Sequence, residues 1–184
     1  GGTDLGKDLR KILLGHETGE ISPRAEALLY AADRAHHVFS VIRPALASGE
    51  VVISDRYFDS SIAYQGAGRV LSPGEVARIS RWATESLFPT LTIVIDLPAE
   101  VGIGRLTNRD RLEAEPLAFH ERVRQEFLQI ARLDPERYLV VDGRQSIDAI
   151  HDEIIKRVST IPAISHEVKV PKLKKTIKKS AKKK

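Results

Sequence analysis

The sequence predicts an α/β fold, a doubly wound parallel sheet with helices on both faces. Three observations carry this. Short apolar runs of buried-strand character lie at 51–54, 91–96 and 138–142. Segments with apolar residues at helical spacing separate them. Strand and helix therefore alternate, the order that builds a parallel sheet.

Residues 4–14 predict a short helix, with Leu5, Leu9, Ile12 and Leu13 on one side. Ser22-Pro23 is a cap followed by proline at the first helical position. The helix it opens is expected to reach about Ser48, kinked by Pro44 and ended by Gly49. The first strand, 51–54, follows. A helix starts near Asp59, and another runs from Pro73 to about Leu87, capped by Ser72. After the strand 91–96, Ala99 to about Leu106 is helical, and Asn108 to Glu115 is a charge-dense connector. A helix from Pro116 to about Arg132 leads to the strand 138–142, and an amphipathic helix over 146–159 ends the domain. There are no internal repeats.

At 184 residues the chain predicts one domain, residues 1–160, with a Lys-rich tail over 161–184. The chain holds 29 Lys and Arg against 25 Asp and Glu; nine of the Lys and one Glu fall in 165–184, so 1–164 carries 20 bases against 24 acids. The tail has little apolar content to bury and reads as disordered. No apolar run approaches a membrane span. The absence of cysteine excludes disulfides and thiolate metal sites and suits a cytoplasmic protein. The six histidines show no metal-binding spacing.

Chemistry concentrates in the segment from Ser54-Asp55-Arg56-Tyr57 through Asp59-Ser60-Ser61 to Tyr64-Gln65-Gly66 and Arg69. It follows the first expected strand, and ligands in open α/β sheets bind at the carboxyl ends of strands. An arginine there can grip a phosphate with two parallel hydrogen bonds, and an aspartate can hold Mg²⁺ or its water. The segment closely resembles the signature of thymidylate kinases, enzymes that phosphorylate dTMP to dTDP with ATP. The resemblance extends over residues 1 to about 160. It implies a P-loop NTPase-like fold with a five-stranded parallel sheet.

The chain begins at Gly1-Gly2-Thr3, where the family has the end of a Pro-Gly-Gly-Thr motif, and it contains no Gly-x-x-x-x-Gly-Lys-Ser/Thr pattern. The expectation is that the first strand, with its phosphate-binding loop, is missing from this chain, leaving an empty slot between 51–54 and 91–96.

The resemblance implies site residues one by one. Arg10, in Gly-Gly-Thr-x-Leu-Gly-x-x-Leu-Arg, matches an arginine near the dTMP phosphate. Tyr30 matches an aromatic stacked on thymine and Arg34 an arginine on the thymine carbonyl; four residues apart, they share a helical face. The pair could equally be a structural cation–π contact. Asp55 and Arg56 match the acid and arginine at the acceptor phosphate, Asp55 being the candidate Mg²⁺ ligand. Ser60 belongs to the same dTMP-binding string, and Ser61 and Gln65 match positions that read the base edge. Tyr64 matches a tyrosine under the deoxyribose; the alternative is a core aromatic with a wet hydroxyl. Arg69 is structural or phosphate-adjacent.

The connector resembles the family's lid, which makes Arg105, Arg109 and Arg111 candidates for charge around the transferring phosphoryl group. Arg105 is the candidate for adenine and Arg111 the first choice for the transferring group; a solvated, salt-bridged loop is the plainer reading. Arg144 and Gln145 fall where the family contacts adenine. The resemblance also implies ATP and Mg²⁺ as co-substrate and cofactor, and a homodimer. The alternative is an inactive nucleotide- or nucleic-acid-binding relative whose basic tail holds polyanions.

Overall fold

A computed structural model of the chain describes residues 2–107 and 109–162. The expected tail lies outside these residues from 163 onward. Among them, helices dominate and one two-stranded sheet is formed.

Helix α1 (Asp4–Leu14) starts where the hydroxyl of Thr3 accepts the Gly6 N–H at 2.9 Å, and it buries Leu13. Helix α2 (Pro23–His37) is capped by Ser22, whose Oγ accepts from Ala25 N–H at 3.3 Å. It continues through a wide, π-helical turn at Val38–Ile42 into α3 (Arg43–Ala47). The widening explains how Pro44 is tolerated. Proline has no N–H and its ring crowds the carbonyl four residues earlier, so a looser turn just before it relieves the clash. The expected kink is thus a register change ahead of Pro44. Gly49, at φ +84°, ends the run.

The strand expected at 51–54 does not form. A strand needs a neighbour to take its N–H and C=O groups. Among the described residues none lies beside it, and Ile53 is 92% exposed. The segment leads directly to α4 (Phe58–Ser61) and a second π-helical stretch, Ile62–Gly68. Helix α5 (Pro73–Ala83) packs on that stretch. It stops four residues short of the expected Leu87, because Glu85 and Ser86 adopt left-handed backbone at φ +51° and +55°.

Strand β1 (Thr92–Asp96) pairs in parallel with β2 (Tyr138–Asp142), in register from Thr92 opposite Tyr138 to Asp96 opposite Asp142. Helices α6 (Ala99–Gly104) and α7 (Leu117–Leu133) connect them, and α8 (Ile147–Val158), capped by Ser146, follows β2.

Helix α7 lies against the Ile62–Gly68 stretch at close range. A Cβ on Gly68 would sit 2.7 Å from the Phe119 ring and 3.0 Å from Val123, so only glycine admits this approach. Phe119 and Val123 are buried there with Ala63 and Leu112, flanked by Leu14, Tyr30, Tyr64 and Phe127. Burying a side chain such as Phe119 stabilises by about 1.5–3 kcal/mol. The core thus backs directly onto the tyrosines expected to hold a ligand.

Candidate nucleotide-binding site

A cleft of about 680 Å³ opens between α1, α2, the segment 52–57 and the carboxyl end of β1. Nine of the expected site residues line it: Arg10, Tyr30, Arg34, Asp55, Arg56, Ser60, Ser61, Tyr64 and Gln65. Helical periodicity brings Tyr30 and Arg34 to one side, the tight Tyr57–Gln65 path delivers Ser60, Ser61, Tyr64 and Gln65, the turn before it carries Asp55 and Arg56, and α1 supplies Arg10.

The two sides are bonded. Nη1 of Arg34 donates to Oγ of Ser61 at 3.0 Å. Burial pulls the Arg34 guanidinium below its ordinary pKa, while Asp33 opposes this. Burial, helped by the charge of Glu26, pushes the Tyr30 hydroxyl up to about 12, so the ring stays neutral at any physiological pH. A flat neutral ring beside a buried donor suits a nucleobase carrying a carbonyl.

The outer part of the cleft carries Arg10, Asp55 and Arg56. Arg56 has left-handed backbone, φ +66°, in a residue with a side chain. Such conformations cost about 1–3 kcal/mol and gather at ligand sites. Ser54 Oγ holds the turn by donating to the Arg56 carbonyl at 2.7 Å. The Arg56 guanidinium sits 5.6 Å from the centre of the Tyr64 ring. In the cleft, the arginine stacked on a tyrosine ring is therefore Arg56 on Tyr64, while Arg34 bonds to serine. Asp55 and Arg10 stand exposed at the cleft mouth.

The lid and turn candidates lie elsewhere. Arg105 and Arg109 are exposed outside the cleft lining. Arg111 is held inward: Nε donates to the Leu13 carbonyl at 2.8 Å, and Nη2 pairs with Glu26. Arg144 is paired with its neighbour Asp142, with Nη2 to Oδ2 at 2.7 Å, which holds that carboxyl down at about 2. Gln145 is exposed beside it.

Sequence reasoning passed over four features of this region. Glu26 is fully buried and accepts from Gln65, Arg69 and Arg111. Its place four residues before Tyr30 on the same helical face was the available signal. Asp96, at the end of β1, takes a two-pronged bond from Arg124 at 2.7 and 3.0 Å, and that pairing lowers its pKa. Asp110 and Glu113 join the cleft wall and bond each other's segment, Glu113 accepting from Asp110 N–H at 3.0 Å. The Nε2 of His120 is buried at the wall with no hydrogen-bond partner among the described residues. Nothing in the sequence signalled the last.

A parallel strand pair ending at a cleft, with a neutral ring and a guanidinium inside and arginines at the mouth, defines a nucleotide-binding α/β protein. The comparisons sharpen this. A family profile described as Thymidylate kinase matches residues 1–154. The thymidylate kinase of Leifsonia xyli subsp. xyli is 58% identical over 158 residues, covering 84% of this chain and 74% of that protein. That of Clavibacter sepedonicus is 54% identical over 167 residues, 89% of this chain and 79% of its own. That of Cutibacterium acnes is 50% identical over 155 residues, 84% and 76% respectively. The chain belongs to the thymidylate kinase family, a family of phosphotransferase enzymes, and with it to the P-loop NTPase fold.

Proposed function

We propose that this protein transfers the γ-phosphoryl group of ATP to dTMP, giving dTDP and ADP. The observation that carries the proposal is the single cleft in which Tyr30, Arg34, Ser61 and Gln65 face Arg10, Asp55 and Arg56. Thymine stacks on Tyr30, and its carbonyl accepts from Arg34. Tyr64 lies under the deoxyribose, where its ring leaves no room for a 2′-hydroxyl. Arg56 and Arg10 hold the dTMP phosphate so that one of its oxygens attacks the γ-phosphorus in line as the bond to ADP breaks. Positioning and charge supply most of such catalysis.

Asp55 suits Mg²⁺, which binds through one or two carboxylates and otherwise through water and substrate phosphates. Asp55 would hold the ion or one of its waters, and the ion would supply neutralising charge for the polyphosphate. Of the lid arginines, Arg105 and Arg109 are exposed and serve the donor side. Arg111 reaches a transferring group only by leaving Glu26 and Leu13. Arg144 and Gln145 are assigned to adenine.

The same proposal extends to the sheet. Segment 51–54 and the edge of β1 away from β2, unpaired among the described residues, border the cleft through Val52, Ile53, Val94 and Ile95. A further parallel strand between them pairs both edges and delivers an ATP-binding loop, a pattern the 184 residues lack. We place the enzyme in the cytoplasm as a homodimer; the exposed Leu28, Phe39 and Trp82 support the pairing. Among the described residues no helix is long and apolar enough to cross a membrane.

The test is ADP release by the protein expressed from its own gene. Release that requires dTMP and falls at least a hundredfold in Arg56→Ala supports the proposal; ADP release indifferent to dTMP overturns it.

A further inference from the structure

We propose that Glu26 is a positioning residue that fixes which end of the Gln65 amide faces the cleft, and so tunes the site to a nucleobase with an N–H at its edge. The inference rests on the reading of the cleft as a dTMP site and adds how the base is told from cytosine.

The Glu26 side chain is 0% exposed, and its carboxylate is saturated with donors. Oε1 accepts from Nε2 of Gln65 at 3.0 Å and from Nε of Arg69 at 3.2 Å. Oε2 accepts from Nη2 of Arg69 at 3.2 Å and from Nη2 of Arg111. Burial alone would raise its pKa, but the bonds from Arg69, Gln65 and Arg111 outweigh this and hold it ionised. An ionised carboxylate only accepts. It therefore admits one orientation of the Gln65 amide, with the NH₂ toward Glu26.

Gln65 is itself 2% exposed and lines the cleft. With its nitrogen committed, the carbonyl oxygen is the end left for a ligand. That oxygen matches the ring N–H of thymine or uracil and opposes the bare ring nitrogen of cytosine. Without Glu26 the amide can turn and offer a donor instead. Glu26 shares a face of α2 with Tyr30 and Arg34, so one helix carries the stacking ring, the carbonyl donor and the residue that orients the third contact.

The experiment compares turnover of dTMP, dUMP and dCMP by the wild type, Glu26→Gln and Glu26→Asp. A neutral amide at 26 can face Gln65 in either sense, whereas Asp restores an obligate acceptor. Arg34 rejects cytosine on its own, so the readout is the change in the kcat/KM ratio of dCMP to dTMP. That ratio is expected to rise about tenfold in Glu26→Gln and return in Glu26→Asp, with dUMP to dTMP unchanged. A uniform fall for all three substrates, with ratios preserved, overturns the inference and leaves the dTMP reading intact. Turnover of none of them by the wild type removes both.

Should Glu26→Gln fail to fold, carbon and nitrogen NMR of Gln65 in the wild type decides. The inference requires an NH₂ protected from exchange without ligand and a side-chain carbonyl resonance that moves with dTMP. A freely exchanging NH₂ contradicts it.

Discussion

The hydroxyl of Tyr138, at the start of β2, donates to Oδ1 of Asp59 across 2.6 Å, and Asp59 belongs to the short helix that carries Ser60 and Ser61. The bond ties the sheet to the segment that shapes the ligand cleft. Arg137 completes it, with Nη1 3.4 Å from Oδ2 of Asp59 and its guanidinium 4.3 Å from the Tyr138 ring centre. Tyr138→Phe leaves a nearly buried carboxylate with one distant partner. Urea unfolding is expected to show a loss of about 1–3 kcal/mol.

Alkaline pH offers a second check. The folded Tyr30 titrates near 12, two units above its ordinary value, and Tyr138 is raised as well, chiefly by burial. A raised folded pKa means the native state keeps a proton that the unfolded chain loses. The contribution is fully present below pH 10 and disappears as pH rises toward 12; for Tyr30 it amounts to at most about 3 kcal/mol. Urea midpoints measured from pH 9 to 11.5 should fall, and fall less in Tyr30→Phe.

Ser61→Ala removes the acceptor that holds Nη1 of Arg34. In the proposed pose, Arg34 then loses the bond that aims it at the base. The KM for dTMP is expected to rise about tenfold, in line with one lost charge-assisted bond, with kcat changed much less. A fall in kcat at constant KM would show that Ser61 acts on the reacting phosphates instead.

Gly68→Ala places a methyl 2.7 Å from the Phe119 ring. Helix α7 must retreat, and overpacking of this kind costs about 1–3 kcal/mol. Thermal unfolding should show a lower midpoint, restored in part by Phe119→Leu in the same chain.

The elements that packing decides were legible in the sequence. Both strands that form and the caps at Ser22 and Ser72 sit where apolar runs and turn residues put them. The run 51–54 has the same apolar character as β1, but a strand is a property of a pair, and composition does not say whether a partner stands beside it. Helix endings were less legible still. Glu85 and Ser86 turn left-handed without glycine or proline to announce it. At the site, the string from Asp55 to Gln65 made six of the nine expected cleft-lining residues foreseeable, and the Arg10 and Tyr30/Arg34 motifs the other three. The inward hold on Arg111 was not, since Glu26 lies 85 positions away in the chain and reads as an ordinary first-turn helix acid.

The central claim is that one cleft holds base and phosphate of dTMP together. Calorimetric titration of dTMP and of thymidine into the wild type, Arg34→Ala and Arg56→Ala tests it most directly. The account predicts that dTMP binds more tightly than thymidine, that Arg56→Ala erases the difference, and that Arg34→Ala weakens both ligands alike. Equal binding of dTMP to the wild type and Arg56→Ala would contradict it.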